Sequence, residues 1–211
     1  MKGLYIVTPD WDDTPKLLAT TEMALRGGAA LVQYRHKSAS AELRREQAEC
    51  LLDLCRSYRR PLVINDYLDL CLALNADGVH VGGTDASVAQ MRAALGPDKI
   101  VGASCYGSLE LARAAHHAGA SYVAFGGFYP SRVKKYPVTT SAEIIAQSQA
   151  EIALPVVVIG GMTQDNAVSL VAAGADMVAA ISSVYLAGDP EAAARGFASL
   201  FRSSQAGAAL L

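Results

Sequence analysis

"HAGASYVAF" (residues 117–125) closes one element and opens another with almost no chain between them. Its glycine suits a left-handed helix C-cap, the small residues around it allow a tight turn, and Tyr-Val-Ala-Phe begins a run fit for a buried strand. The same passage recurs as "RGGAALVQ" (26–33), "LNADGVHV" (74–81) and "AAGADMVAA" (172–180). In the second of these Asn75 stands where the others carry glycine. A helix-to-strand turn repeated along a chain is the signature of alternating β and α units.

Around these turns lie short β-rich runs. They are "GLYIVT" (3–8), "LVQYRHK" (31–37), "PLVIND" (61–66), "GVHVG" (78–82), "IVGASC" (100–105), "YVAFGG" (122–127), "PVVVIGG" (155–161) and "MVAAISS" (177–183). Helical spacing fills the gaps, as in "AELRREQAECLLDLCRSY" (41–58) and "SLELARAAHHAG" (108–119). Most runs are continuously apolar rather than alternating, which predicts strands buried on both faces and a parallel sheet. Eight such units predict a compact (β/α)8 TIM barrel over residues 1–203, with 204–211 as a frayed tail. The competing open, doubly wound sheet wants a glycine-rich fingerprint after its first strand, and "VTPDWDD" (7–13) is not one.

Composition narrows the function classes. The formal net charge is −2 with no block of like charge, so nothing favours nucleic acid or a charged membrane surface. No stretch approaches the roughly 20 apolar residues that cross a bilayer, and "MKGLYIVTPD" lacks the apolar core of a signal peptide. Cys50, Cys55, Cys71 and Cys105 form no C-x-x-C pair, which predicts reduced thiols in a cytoplasmic protein and no zinc cluster. The oligomeric state is left open, a homo-oligomer included.

The barrel assignment sorts the polar residues, because loops after the strands build the active site and loops before them serve stability. Asp77, Ser121 and Asp176 precede strands and are read as structural. His116 and His117 sit in a last helical turn, where they complement orphan carbonyls. His80 is expected to be a hydrogen-bonded core histidine, and His36 to pack toward the helices. Cys105 has no visible partner base.

What remains gathers at the strand C-termini. Gln33, Arg35 and Lys37 alternate along strand two and so leave one face of it. Asn65 and Asp66 end strand three, Asp85 follows strand four, and Ser104 closes strand five. The loop "FYPSRVKKYPVTT" (128–140) carries Ser131, Arg132, Lys134 and Lys135. Gly160 and Gly161 end strand seven, and Ser182 and Ser183 end strand eight. The glycines and serines suit the phosphate site usual at that corner of such barrels. Asp66 and Asp85, on neighbouring loops, suit Mg²⁺, which takes one or two carboxylates and completes its shell with substrate phosphate oxygens. Arginine offers the same anion a bidentate fork and lysine a point charge. Two cations on an inward strand face are tolerable if a Mg²⁺-pyrophosphate arrives to pair with them. There is no nucleophile–His–carboxylate arrangement, no H-E-x-x-H and no lysine deep in an apolar strand.

Taken together, "VQYRHK" (32–37), "INDYLDLCLALNADGVHVGGTD" (64–85), "VGAS" (101–104), "FGGFYPSRVKK" (125–135) and "VVVIGGM" (156–162) resemble the thiamine-phosphate synthase family, from "LYIVT" (4–8) to "AAISSVY" (179–185). The resemblance implies a Mg²⁺-dependent transferase. It would join 4-amino-2-methyl-5-hydroxymethylpyrimidine diphosphate to hydroxyethylthiazole phosphate and release pyrophosphate. It implies that Gln33, Arg35, Lys37, Asn65 and Lys134 grip the pyrimidine diphosphate and that Asp66 and Asp85 hold the metal. Ser104, Ser131, Gly161, Ser182 and Ser183 would meet the thiazole phosphate or the leaving group, with Arg35, Lys37, Lys134 and Ser104 closest to the chemistry. The implied reaction is dissociative: the C–O bond to pyrophosphate breaks first, and the thiazole nitrogen then attacks a pyrimidine-methyl cation. Two departures from the family pattern stand out. The loop P-T-x-T-K reads "PSRVK" here, so Val133 removes a hydroxyl, and Gly83 replaces a usual glutamine. The alternatives are another phosphate-ligand TIM barrel, such as a phosphosugar isomerase or decarboxylase, which should show an acid/base pair at facing strand ends, and a related thiazole tautomerase, which the resemblance brings with it. That relative places a histidine in the loop after strand six, and residues 126–137 contain none.

Overall fold

The structure is a computed structural model and describes residues 1–82, 87–130 and 140–207 of the chain. Its strands are β1 (Gly3–Val7), β2 (Leu31–Tyr34), β3 (Leu62–Asn65), β4 (Gly78–Val81), β5 (Ile100–Tyr106), β6 (Tyr122–Gly126), β7 (Val156–Ile159) and β8 (Met177–Ala180). They pair in parallel in chain order, and β1 closes on β8 with Tyr5 opposite Ala179. Between strands run α1 (Thr14–Arg26), α2 (Ala41–Ser57), α3 (Leu68–Leu74) and α4 (Val88–Leu95). They are followed by α5 (Leu109–His117), α6 (Glu143–Glu151) and α7 (Gln164–Ala172), and then by α8 (Ser182–Tyr185) and α9 (Pro190–Gly207) after β8. This is the (β/α)8 barrel that the repeated turn predicts.

Each echo of that turn folds alike. Gly28, Asn75, Gly119 and Gly174 all take positive φ, between 50° and 107°. The next N–H then reaches back into the helix: Ala29 to the Ala24 carbonyl, Ala76 to Cys71, Ala120 to Ala115 and Ala175 to Leu170, each at 3.0 Å. This left-handed closure satisfies orphan carbonyls and turns the chain directly into the next strand. One residue on, side chains tie the bottom of the barrel together. Asp77 accepts from the Leu62 N–H (2.8 Å), Ser121 from Val101 (3.0 Å) and Asp176 from Val156 (2.8 Å). Their structural reading holds.

Alternation along β1 divides the core in two. Leu4 and Ile6 face the helices with Val32, Leu62, Ile64 and Val178, while Tyr5 and Val7 fill the barrel with Leu31, Val63, Tyr122, Val157 and Met177. Burial on both faces is why the strands read as unbroken apolar runs. Among the described residues no helix is long and apolar enough to cross a membrane. All four cysteines are unpaired.

Some boundaries differ from the sequence expectation. β2 stops at Tyr34, so Arg35 and Lys37 lie beyond the strand rather than on its inward face. Gly160 and Gly161 likewise follow β7, and Ser182 and Ser183 open α8 instead of ending β8. Ser104 is not the last residue of its strand, since β5 continues to Tyr106 through an irregular register. At the C-terminus α9 continues through Gly207, so the expected tail boundary at 204 falls inside a helix, and residues 208–211 lie outside the described residues.

Candidate active site

The mouth of the barrel is organised first by Thr8, fully buried just after β1. Its hydroxyl accepts from the Arg35 N–H (2.8 Å) and donates to the Arg35 carbonyl (3.0 Å), pinning the chain where β2 ends. From that anchor Arg35 and Lys37 turn outward. The Arg35 side chain is 12% exposed and meets both oxygens of Asp10, at 3.2 and 3.3 Å. Lys37 is 56% exposed, and its Nζ lies 3.7 Å from Asp66 Oδ2. The expectation of two cations driven into low dielectric is corrected for Lys37 alone: Arg35 stays largely buried against Asp10, and of the three only Gln33 projects into the barrel. The Lys37 pair is exposed on its lysine side, and such a pair holds weakly and exchanges readily.

Asp66 is built with strain. Its φ is +64°, rare for a residue with a side chain, although aspartate tolerates it better than most. Its N–H donates to the His80 carbonyl (3.0 Å), and Asn65 Nδ2 donates to its Oδ2 (2.6 Å). The carboxylate is thus aimed by β3 and β4 together and stays 20% exposed at the mouth beside Lys37. A hard oxygen donor held in this way fits Mg²⁺ completed by substrate oxygens. Asp85, the expected second ligand, lies outside the described residues, as do Ser131 and Lys134. Among the described residues no group of three or more His, Cys, Asp or Glu side chains could hold a metal.

On the opposite rim Gly160 and Gly161 both adopt positive φ after β7. Asn166 of α7 donates to the Gly161 carbonyl (2.9 Å), and a Cβ on Gly161 would come within 2.2 Å of the Pro130 carbonyl oxygen. That close approach keeps the start of the strand-six loop against the strand-seven turn. Ser182 and Ser183 form the first turn of α8 after β8, a position where such barrels take phosphate.

Two groups were missed in the sequence. Asp10, which holds Arg35, follows β1 and obeys the same strand-end rule that found the others. The second is a file of buried side chains through the barrel. Gln33 Nε2 donates to the Tyr5 hydroxyl (2.5 Å), and the Tyr5 and Tyr122 hydroxyls meet at 2.7 Å. Tyr122 in turn meets His80 Nδ1 (2.8 Å), and His80 Nε2 meets Ser104 Oγ (2.8 Å). His80 is the hydrogen-bonded core histidine expected, with the addition that it touches a candidate site residue. Burial holds the Tyr5 and Tyr122 phenols well above the ordinary tyrosine range, so both keep their protons. His36 is buried between loop carboxylates, with Nε2 at 3.0 Å from Asp12. Cys105 is buried, and burial pushes its thiol up to about 12, away from the thiolate a nucleophile needs.

The family model for thiamine monophosphate synthase matches residues 4–184. A thiamine-phosphate synthase of Janthinobacterium sp. (strain Marseille) is 70% identical over 201 residues, covering 95% of this chain and 97% of that protein. One from Methylobacillus flagellatus is 51% identical over 202 residues, covering 95% and 96%. Among solved structures, a thiamine phosphate pyrophosphorylase from Pyrococcus furiosus superposes with a TM-score of 0.83 at 31% identity, over 95% of this chain and 96% of that one. A 3-hexulose-6-phosphate synthase, at 19% identity and a TM-score of 0.68, shares the fold alone.

Proposed function

The chain belongs to the thiamine monophosphate synthase family and is a transferase that makes thiamine phosphate; on that premise we propose how its mouth takes the substrates and parts the diphosphate from one of them. The substrates are 4-amino-2-methyl-5-hydroxymethylpyrimidine diphosphate and hydroxyethylthiazole phosphate, and the second product is pyrophosphate. The observation that carries this reading is that Arg35 and Lys37 are each held at the mouth by a carboxylate, Asp10 and Asp66, the first cation sheltered and the second open to solvent. A diphosphate brings more charge than either carboxylate and takes their place.

Arg35, Lys37 and Lys134 bind the diphosphate, with Gln33 and Asn65 beside the pyrimidine. Ser131, Gly161, Ser182 and Ser183 receive the thiazole phosphate, and Ser104 sits between the two substrates. Asp66 and Asp85 would hold Mg²⁺, which would supply positive charge to the departing oxygens. The C–O bond breaks as those oxygens are neutralised, and the thiazole nitrogen forms the new C–N bond with its own lone pair. Because that nitrogen has no proton to lose, no general base is needed, and rate depends on electrostatics and on placing two substrates face to face. The unpaired cysteines accord with a cytoplasmic setting.

The test is to mix both substrates with the purified protein, with and without Mg²⁺, and to quantify both products. Pyrophosphate and thiamine phosphate are expected in equal amounts, and in neither amount under a chelator. Isomerisation of a thiazole without pyrophosphate release would contradict the proposal and favour the tautomerase-like alternative.

A further inference from the structure

The file of hydrogen bonds from Gln33 to Ser104 crosses the barrel through five strands, β2, β1, β6, β4 and β5. Its proton order is decided at one end. An amide nitrogen can only donate, so the Tyr5 oxygen accepts from Gln33. Tyr5 is 1% exposed and its one proton has Tyr122 as its remaining hydroxyl neighbour, so Tyr5 donates to Tyr122. With the amide in this orientation, any other arrangement strands a buried O–H without a partner. Tyr122, 0% exposed, then spends its own proton on His80 Nδ1. With Nδ1 accepting, the imidazole proton sits on Nε2 and points at Ser104 Oγ. Ser104 accepts that proton, and its own hydroxyl hydrogen is left to donate elsewhere.

We propose that Tyr5, Tyr122 and His80 are positioning residues that couple the amide orientation of Gln33 to the hydroxyl direction of Ser104. The coupling gives the mouth an acceptor, Gln33 Oε1, on one side and a donor, Ser104 O–H, on the other. No residue of the file can reverse its bond alone, because Tyr5, Tyr122 and His80 each have one proton to place; reversal requires the amide to flip and every bond after it to follow. The inference rests on the functional reading above for its ligand. An acceptor held at Gln33 takes the exocyclic amine of an aminopyrimidine and rejects the corresponding oxo-pyrimidine, which presents an acceptor of its own at that atom. Tyr5, Tyr122 and His80 would then set ring specificity without touching the ring.

The arrangement is supported by what surrounds it. The Tyr5 and Tyr122 rings meet edge to face at 5.8 Å, and Tyr122 stacks on His80 at 5.6 Å, so the hydroxyls are held by packing as well as by their own bonds. Gly102 of β5 makes the room, since a Cβ there would lie 2.2 Å from the Tyr122 oxygen.

Imidazole nitrogens are distinguished by long-range ¹H–¹⁵N spectra of the histidine-labelled, unliganded enzyme, with the His80 signal identified by its loss in His80→Asn. We expect the His80 proton on Nε2 in the wild type; a proton on Nδ1 overturns the order. The second readout is specificity. Tyr122→Phe and Tyr5→Phe each delete one oxygen and keep the ring packing, and Tyr5 does not touch His80. Both are expected to reduce the kcat/KM preference for the 4-amino over the 4-oxo pyrimidine diphosphate by about tenfold or more. An unchanged preference in either variant contradicts the coupling. If neither pyrimidine yields pyrophosphate with the wild type, the functional reading fails, while the spectra still decide the proton order.

Discussion

Arg35 and Lys37 show what a single residue can reveal before its neighbours are known. Their spacing and their role as a cationic pair are legible in "VQYRHK", but their burial is not: β-propensity cannot tell that the strand stops at Tyr34. Asp10 is one of three aspartates in "VTPDWDD" (7–13), and the sequence does not say which meets a cation: Asp13 caps α1, accepting from the Lys16 N–H at 2.9 Å, while Asp10 holds Arg35. Asp10→Asn keeps an oxygen for the Lys37 N–H (3.1 Å) and removes the charge that competes for Arg35. Pyrophosphate should then bind at least a few-fold more tightly by calorimetry, since even an exposed ion pair is worth about 0.2–1 kcal/mol and Arg35 is largely buried. Weaker binding would mean that Asp10 orients Arg35 instead of competing for it. Asp66→Asn and Asp85→Asn test the metal reading. Asparagine also tolerates left-handed backbone, so the fold at position 66 should survive. Each should lower the Mg²⁺-dependent rate at least about tenfold with little change in the melting temperature. Full activity of either variant under a chelator contradicts the assignment.

At the scale of elements, the repeated αβ turn carried nearly all the information. Its composition announces a left-handed residue, and four such turns place the strands that follow them. Short elements left no comparable trace. α8 is hidden at the end of an apolar run, because "MVAAISS" gives no sign of where pairing ends and the single turn from Ser182 begins. The division of labour between the two ends of the barrel makes a prediction. Asp176→Ala leaves the Val156 N–H without its acceptor at the bottom of β7. The cost is about 1–3 kcal/mol, or roughly 2–4 °C of melting temperature per kcal/mol for a chain of this size. kcat/KM should not move, since the mouth is at the other end of every strand. A large loss of activity without a loss of stability would place Asp176 in the site.

For the whole molecule, barrel closure was readable but the contents of the barrel were not. Periodicity says which side chains point inward, while the meeting of Tyr5 and Tyr122, 117 residues apart, depends on closure itself. Gly102 is the term that makes it fit, with a Cβ there only 2.0 Å from Tyr122 Cζ. Gly102→Ala should cost about 1–3 kcal/mol by overpacking, read by denaturant unfolding; a neutral result would show that the ring can move aside. The central claim, that pyrophosphate leaves before the new bond forms, is tested most directly by single-turnover rates for pyrimidine diphosphates differing only in the substituent at ring position 2. These substituents alter the stability of a cation on the methylene and leave the diphosphate that Arg35, Lys37 and the metal would grip unchanged. The account predicts that rates fall steadily from electron-releasing to electron-withdrawing groups, about tenfold for each 1.4 kcal/mol of cation destabilisation. Rates that ignore the substituent would contradict it and assign bond making and bond breaking to a single displacement by the thiazole nitrogen.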